Sequence, residues 1–217
     1  MWHDICLIHD NVYLIHDNVV VRRAIRDLLY HRTAHAVIPF AAEADFLDSM
    51  EFVPPGCVLA QVVPDRLNDH NLVRTVSEKR NDLPFIALCS SCDVSLVVEI
   101  VKSGAVDVFD LGHDDEELLL SVEKAFAILP ERIRQADADR MAKERIAILS
   151  PKELAVLNHI AHGMLSKQIA HEMGLSVRTV EMHRSHILKR MNLRSMGDCI
   201  HLFHLAFRGS VFNDLVA

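Results

Sequence analysis

Three groups of residues carry side chains at spacings that can do chemistry. The first runs through Ser166-Lys167 and then Arg178, Thr179, Glu181, Met182, His183, Arg184, Ser185 and Lys189. If one helix displays most of these outward, cations, hydroxyls and one carboxylate form the footprint of a helix that enters a DNA groove; scattered singly, they are ordinary solvated side chains. The second group is Cys89-Ser90-Ser91-Cys92, which has the spacing of redox and metal motifs. The third is the histidines, 14 in all. They show no paired spacing of the kind that holds a metal, so solvated or core histidines are the simpler expectation.

Composition narrows the classes. The chain has 217 residues, 50% hydrophobic and 24% charged, long enough for two small domains. No apolar run is long enough to span a bilayer, and Met1-Trp2-His3-Asp4 lacks the basic start of a signal peptide, so a cytoplasmic protein is expected. The net charge of −7 is unevenly divided. Residues 1–125 hold 10 Lys/Arg against 21 Asp/Glu, residues 126–148 hold 5 against 4, and residues 149–217 hold 8 against 5. An acidic module joined to a mildly basic one fits a regulatory part attached to a nucleic-acid-binding part. Five cysteines, odd in number and scattered, read most simply as free thiols in apolar surroundings.

The first 125 residues alternate short apolar runs with amphipathic stretches. Strands are expected at Val12–His16, Ala36–Phe40, Cys57–Val62, Phe85–Cys89 and Ala105–Phe109. Helices are expected at Val19–Tyr30, with Val21, Ile25, Leu28 and Leu29 on one face, and near Ala42–Met50, Asn71–Arg80 and Val94–Ser103, with a last one starting near Asp114. Five strands alternating with five helices imply a parallel sheet covered on both faces. Leu7-Ile8-His9-Asp10-Asn11-Val12 is repeated as Leu14-Ile15-His16-Asp17-Asn18-Val19; only the second copy directly precedes a helix, so it is read as the first strand and the first copy as an added arm. The stretch 126–148 lacks Gly and reads as a linker, helical from Glu131 to Ile148 with Pro130 as a kink at its start.

Residues 149–217 read as a compact helical module. Ser150, Pro151 and Glu153 have the order of an N-cap, a first-turn proline and a capping-box acid. Gly163 and Gly174 mark turns, Ser166 and Ser176 sit where caps belong, and Val180, Ile187, Leu188 and Met191 recur at helical spacing. That periodicity leaves Arg178, Glu181, Met182, Ser185 and Lys189 on the outer side of the helix. A final helix, Ser195–Phe207, carries Ile200, Leu202, Phe203, Leu205 and Ala206.

From Leu149 to Ala206 these caps, turns and apolar positions resemble the LuxR-type DNA-binding domain, an all-α four-helix fold. The resemblance implies that Glu181, Met182 and Ser185 lie against base edges. It likewise implies that Lys167, Arg178, Thr179, His183, Arg184 and Lys189 contact phosphates of double-stranded DNA, with backbone amides at the Ser166 helix start. It also implies a homodimer on a two-fold site.

The N-terminal half resembles the receiver domain of response regulators, and the whole chain the FixJ/NarL group. Leu14–Arg22, Pro55–Leu59 and Lys102-Ser103-Gly104-Ala105-Val106-Asp107 carry the likeness. It implies a flavodoxin-like strand order 2-1-3-4-5. The phosphorylation pocket is degenerate: the acidic pair is His16-Asp17, the phosphoacceptor falls on Gln61 or Ala60, the hydroxyl position is Cys89, and the Lys-Pro pair is Leu111-Gly112. Mg²⁺ prefers carboxylate oxygens, and an amide cannot form an acyl phosphate, so no catalytic residue, metal or cofactor is assigned. Of the histidines, His9 and His16 fall near this pocket. The expected protein is therefore a DNA-binding transcriptional regulator that works without aspartyl phosphate. The alternatives are a ligand, metal or redox sensor acting through the receiver-like domain, or an adaptor for another regulatory protein. The Val94–Val101 helix has more apolar positions than one buried face requires, and the surplus, Val94, Val98 or Val101, suits a dimer contact together with the fifth strand.

Overall fold

The computed structural model describes residues 10–62, 69–90, 92–112 and 114–207. Chain contacts divide it into two compact units, Met1–Gln135 and Ala136–Ala217.

The first unit is built on five parallel strands, β1 (Asn11–Ile15), β2 (Ala36–Phe40), β3 (Gly56–Gln61), β4 (Phe85–Cys89) and β5 (Asp107–Asp110), in the order β2-β1-β3-β4-β5. Between and after them come α1 (Val19–Arg32), α2 (Glu43–Ser49), α3 (Asp69–Lys79), α4 (Val94–Lys102) and α5 (Asp115–Ile146). β3 and β4 are almost continuously apolar because both faces of a parallel sheet are covered. Successive side chains go to opposite layers. Tyr13, Ile15, Val58, Ala60, Phe85 and Ala87 pack with Phe46, Val73, Val76 and Ile100. Val12, Leu14, Leu59, Ile86 and Leu88 pack with Ile25, Leu29, Leu118, Val122 and Ala125. β2 is the edge, mostly exposed, and tolerates Pro39 for that reason.

Beyond shifts of one or two residues at several element ends, three features differ from the sequence expectation. β1 straddles the two copies of the repeat, taking Asn11-Val12 from the first and Leu14-Ile15 from the second. Pairing with Ala36–Phe40 and Gly56–Ala60 sets that register; Leu7, Ile8 and His9 lie outside the described residues. β5 begins at Asp107 rather than Ala105, since its ladder starts opposite Ile86 while the Ala105 N–H still bonds the Ile100 carbonyl of α4. Gly104 makes that turn at φ 112°, and a Cβ there would lie 2.4 Å from Ser77 Oγ, so only glycine fits. Lastly, the final helix of the sheet unit and the expected linker helix are one: α5 runs unbroken through Pro130. Proline removes the donor to the Phe126 carbonyl, but Val122, Ala125 and Leu129 are buried on one side and hold the helix by packing.

The second unit contains the C-terminal part of α5 and four helices, α6 (Pro151–Ala161), α7 (Ser166–Glu172), α8 (Val177–Met191) and α9 (Met196–Ala206). Their core is Val156, Leu157, Ile160, Ile169, Val180, Ile187, Met191, Cys199 and Phe203, joined by Ala142 and Ile146 of α5. Among the described residues no helix is long and apolar enough to cross a membrane.

Candidate nucleic-acid interface

Local chemistry starts and stops each helix around α8. At α6, Ser150 and Glu153 form a full capping box: the Ser150 N–H and hydroxyl donate to Glu153 Oε2 at 2.8 and 2.7 Å, and the Glu153 N–H donates to Ser150 Oγ at 3.4 Å. Burial alone would raise Glu153, but those two Ser150 donors, together with Arg190 and His183, more than offset it and hold the carboxyl below its usual value. Arg190 Nη1 lies 3.5 Å from Glu153 Oε2 and also donates to the Ile148 carbonyl at 3.1 Å. Arg190 did not stand out in the sequence, because its partners are some forty residues away.

Ser166 behaves differently from the cap expected of it. The cap position of α7 is Leu165, whose N–H donates to Gln168 Oε1 at 2.8 Å, and Ser166 is the first helical residue. Its hydroxyl is thereby free to donate to Glu181 Oε1, 2.5 Å away on α8. Arg184 Nε approaches the other oxygen of Glu181 at 3.6 Å. The carboxylate is held from two sides before any partner arrives. Ser176 caps α8 as expected, accepting from the Thr179 N–H at 3.0 Å, and its hydroxyl meets Thr179 Oγ1 at 2.8 Å.

Val180, Ile187 and Met191 of α8 are buried and Leu188 is half-buried. The opposite side exposes Arg178, Glu181, Met182, Ser185 and Lys189, and Lys167 is exposed on α7. Met182 is 46% exposed, a large apolar side chain presented to solvent beside charged neighbours. Thr179, His183 and Arg184 are half-buried. Among the described residues His183 Nδ1 is buried without a hydrogen-bond partner, so that edge of the ring faces the protein.

In the first unit, the C-terminal ends of the strands bring His16, Asp17, Gln61, Cys89 and Asp110 to one edge of the sheet, where open α/β sheets bind ligands. Ala60 and Gln61 are distinguished here. Ala60 is fully buried in the core layer, whereas Gln61 Oε1 accepts the Asp17 N–H at 3.4 Å. His16 is buried, accepts the Asn18 N–H through Nδ1 at 3.0 Å, and has no partner for Nε2 among the described residues. Burial lowers its pKa, Asp17 opposes that and Arg22 adds to it. Leu111 turns partly into the core, and the Asp110 carboxylate accepts the Gly112 N–H at 3.0 Å, closing its own turn. Mg²⁺ needs several oxygen ligands with carboxylates among them. A neutral imidazole, an amide and the exposed Asp17 do not fit it, and among the described residues no three His, Cys, Asp or Glu gather closely enough to hold a metal.

The cysteines correct the free-thiol expectation in part. Cys89 and Cys92 form a disulfide, while Cys57 and Cys199 are free and buried; Cys6 lies outside the described residues. On α4, Ile100 is buried and Val94, Val98 and Val101 are 81%, 44% and 49% exposed, the three positions that the spacing marked as surplus.

Comparison with known proteins places these features. The family described as "Bacterial regulatory proteins, luxR family" matches residues 147–203. Over 93% of this chain and 87% of the relative, the sequence is 31% identical to the transcriptional regulatory protein TdiR of Thauera aromatica. It is 30% identical to the transcriptional regulatory protein FixJ of Azorhizobium caulinodans, covering 90% of this chain and 92% of that one. The crystal structure of full-length FixJ from B. japonicum superposes with a TM-score of 0.52 at 27% identity, covering 91% of this chain and 97% of that chain.

Proposed function

The chain belongs to the FixJ-type response regulators, transcriptional regulators with a LuxR-type DNA-binding domain. From that membership we propose that it binds double-stranded DNA sequence-specifically, and from its altered receiver pocket that it does so without an aspartyl phosphate. Glu181, Met182 and Ser185 meet base edges, and Lys167, Arg178, Thr179, His183, Arg184 and Lys189 meet phosphates, as do backbone amides at the start of the Ser166 helix. Exposure of the Arg178–Lys189 stripe, with Ser176 starting the helix beneath it, supports this assignment. Half-burial of Thr179, His183 and Arg184 suits groups that reach a backbone from the flank of a recognition helix.

The observation that carries phosphate independence is Gln61. It occupies the end of β3 with its amide oxygen bonded to the N–H of Asp17, next in sequence to His16, whose imidazole burial keeps neutral, and the residue after β5 is the apolar Leu111. An amide cannot accept a phosphoryl group as an acyl phosphate, and no lysine follows β5 to offset the charge. The unit then acts as a cytoplasmic scaffold without enzymatic activity, pairing two copies through the valines of α4. Its output is set by abundance, a partner protein or a bound ligand. The test is incubation with a small-molecule phosphoryl donor, followed by intact-mass measurement and fluorescence anisotropy on DNA selected from a random pool. No added phosphate and unchanged affinity are expected; labelling with tighter binding rejects the proposal.

A further inference from the structure

Cys89 and Cys92 stand at the edge of the sheet where β4 gives way to α4. Cys89 ends the strand, 1% exposed, and its carbonyl accepts the Leu111 N–H at 2.8 Å. Cys92 is partly exposed and directly precedes Asp93, whose carboxylate accepts the Leu96 N–H at 2.8 Å and so starts α4. A bond between the two sulfurs, with Cα atoms 6.1 Å apart, therefore ties the first turn of α4 to the sheet. Both cysteines line a cavity of about 480 Å³ with Val97, Asp107, Ser121 and Lys124, which gives small molecules a way to the sulfurs. Cys89 is as buried as Cys57 and Cys199 but is paired with the partly exposed Cys92, whereas burial pushes the Cys57 and Cys199 thiols up, away from the reactive thiolate.

We propose that Cys89 and Cys92 are a reversible oxidation site, closed by a peroxide and reopened by a dithiol, whose state sets how firmly α4 begins. The Cys92 thiolate attacks one peroxide oxygen and the O–O bond breaks; the departing oxygen takes a proton and leaves as water, and Cys92 becomes a sulfenic acid. The Cys89 sulfur then attacks the Cys92 sulfur, forming the S–S bond, and the sulfenic oxygen leaves as a second water with the Cys89 proton. Two thiols and one hydrogen peroxide give one disulfide and two waters. A dithiol reverses this through a mixed disulfide at the more exposed Cys92, ending as a cyclic disulfide with both protein thiols restored. That the bond is a switch rather than a permanent staple rests on the DNA-binding reading above: a protein that works at DNA works where thiols are kept reduced, and disulfides there are transient or sensing. The output is the helix that carries Val94, Val98 and Val101.

The experiment takes the full chain treated with dithiothreitol or with hydrogen peroxide, blocks free thiols with iodoacetamide, and reads mass and hydrogen exchange. After blocking, the peptide holding both cysteines should carry two carbamidomethyl groups in the dithiothreitol sample and none in the peroxide sample, where it is two hydrogens lighter than the unblocked dithiol, and Cys57 and Cys199 should form no disulfide in either. Amides of residues 94–102 should exchange about fivefold or more slowly in the oxidised form. Cys92→Ser should abolish both changes and Cys57→Ser neither. If Cys89 and Cys92 remain thiols in excess peroxide, pair with other cysteines, or pair without altering exchange in α4, the proposal fails. Anisotropy on selected DNA with the same samples separates the two readings. Failure to bind in both states, with the disulfide and α4 cycling together, counts against DNA binding and for the oxidation site. Binding with no disulfide does the reverse.

Discussion

On the proposed reading, recognition of DNA depends on how single side chains are held. Glu181 is the one carboxylate in the exposed stripe of α8, and a free carboxylate so placed would sample many rotamers and repel DNA. Ser166 and Arg184 restrain it, through contacts of 2.5 and 3.6 Å, and in the proposed complex it would accept a base amine from that position. Glu181→Gln should change discrimination at one base pair by roughly 1–3 kcal/mol while leaving random-DNA affinity much less affected. Ser166→Ala should weaken discrimination at that same base pair. Anisotropy against single-base variants of a selected site checks both, and equal losses on every sequence would rule the assignment out. His16 supports a different expectation. Burial lowers its pKa and its Nδ1 accepts a hydrogen bond, so the folded state favours the neutral ring. His35, stacked on Phe126 with ring centroids 4.1 Å apart, is lowered in the same sense. The stability these two contribute is therefore complete above their ordinary value of about 6.5 and falls as acid protonates the unfolded chain first. Melting curves from about pH 7.5 to about pH 5 should show the fall, and His16→Gln should flatten part of it.

Elements here are held by their ends and by one buried side. Ser150 is the clearest case, since its hydroxyl and N–H satisfy Glu153, which is only 3% exposed. Ser150→Ala removes the cap of α6 and strips a buried carboxylate of one donor. The expected cost is about 1–3 kcal/mol, read as a lower melting temperature, whereas Ser150→Thr should lose far less. Arg190 also faces that carboxylate, so Arg190→Ala combined with Ser150→Ala should cost less than the two losses added separately. The long α5 shows the complementary case, an element that keeps its course through Pro130 because Val122, Ala125 and Leu129 are packed against a core.

At the scale of the whole chain, charge is the organising quantity. Residues 1–125 carry 21 Asp/Glu against 10 Lys/Arg, and residues 149–217 carry 5 against 8. The acidic share should lower DNA affinity at long range, and salt screens such an effect beyond roughly 10 Å at about 0.1 M. A fragment beginning at Ala136, which keeps Ala142 and Ile146 in their core, should bind DNA more tightly than the full chain at low salt. The gap should narrow as salt rises, and a gap independent of salt would point to a cause other than charge. A fragment cut at Leu149 would lose those two buried residues and should be less stable.

Much of this protein was legible without coordinates. Caps at Ser150 and Ser176, the short apolar runs that make β2 and β4, and the outward stripe of α8 are all encoded within a few residues of where they act. The sheet order came from the family likeness that those signals made visible. What the tertiary structure alone decided involves partners distant in sequence. Ser166 meets Glu181 across two helices, Gln61 rather than Ala60 turns toward Asp17, and Arg190 reaches back to Glu153. Likewise β1 took residues from both copies of a repeat because its two neighbouring strands set the register, and α5 crossed Pro130 because a core lay beneath it. Local rules govern hydrogen bonds over three or four residues; which distant groups share a buried site is decided only when the chain has packed.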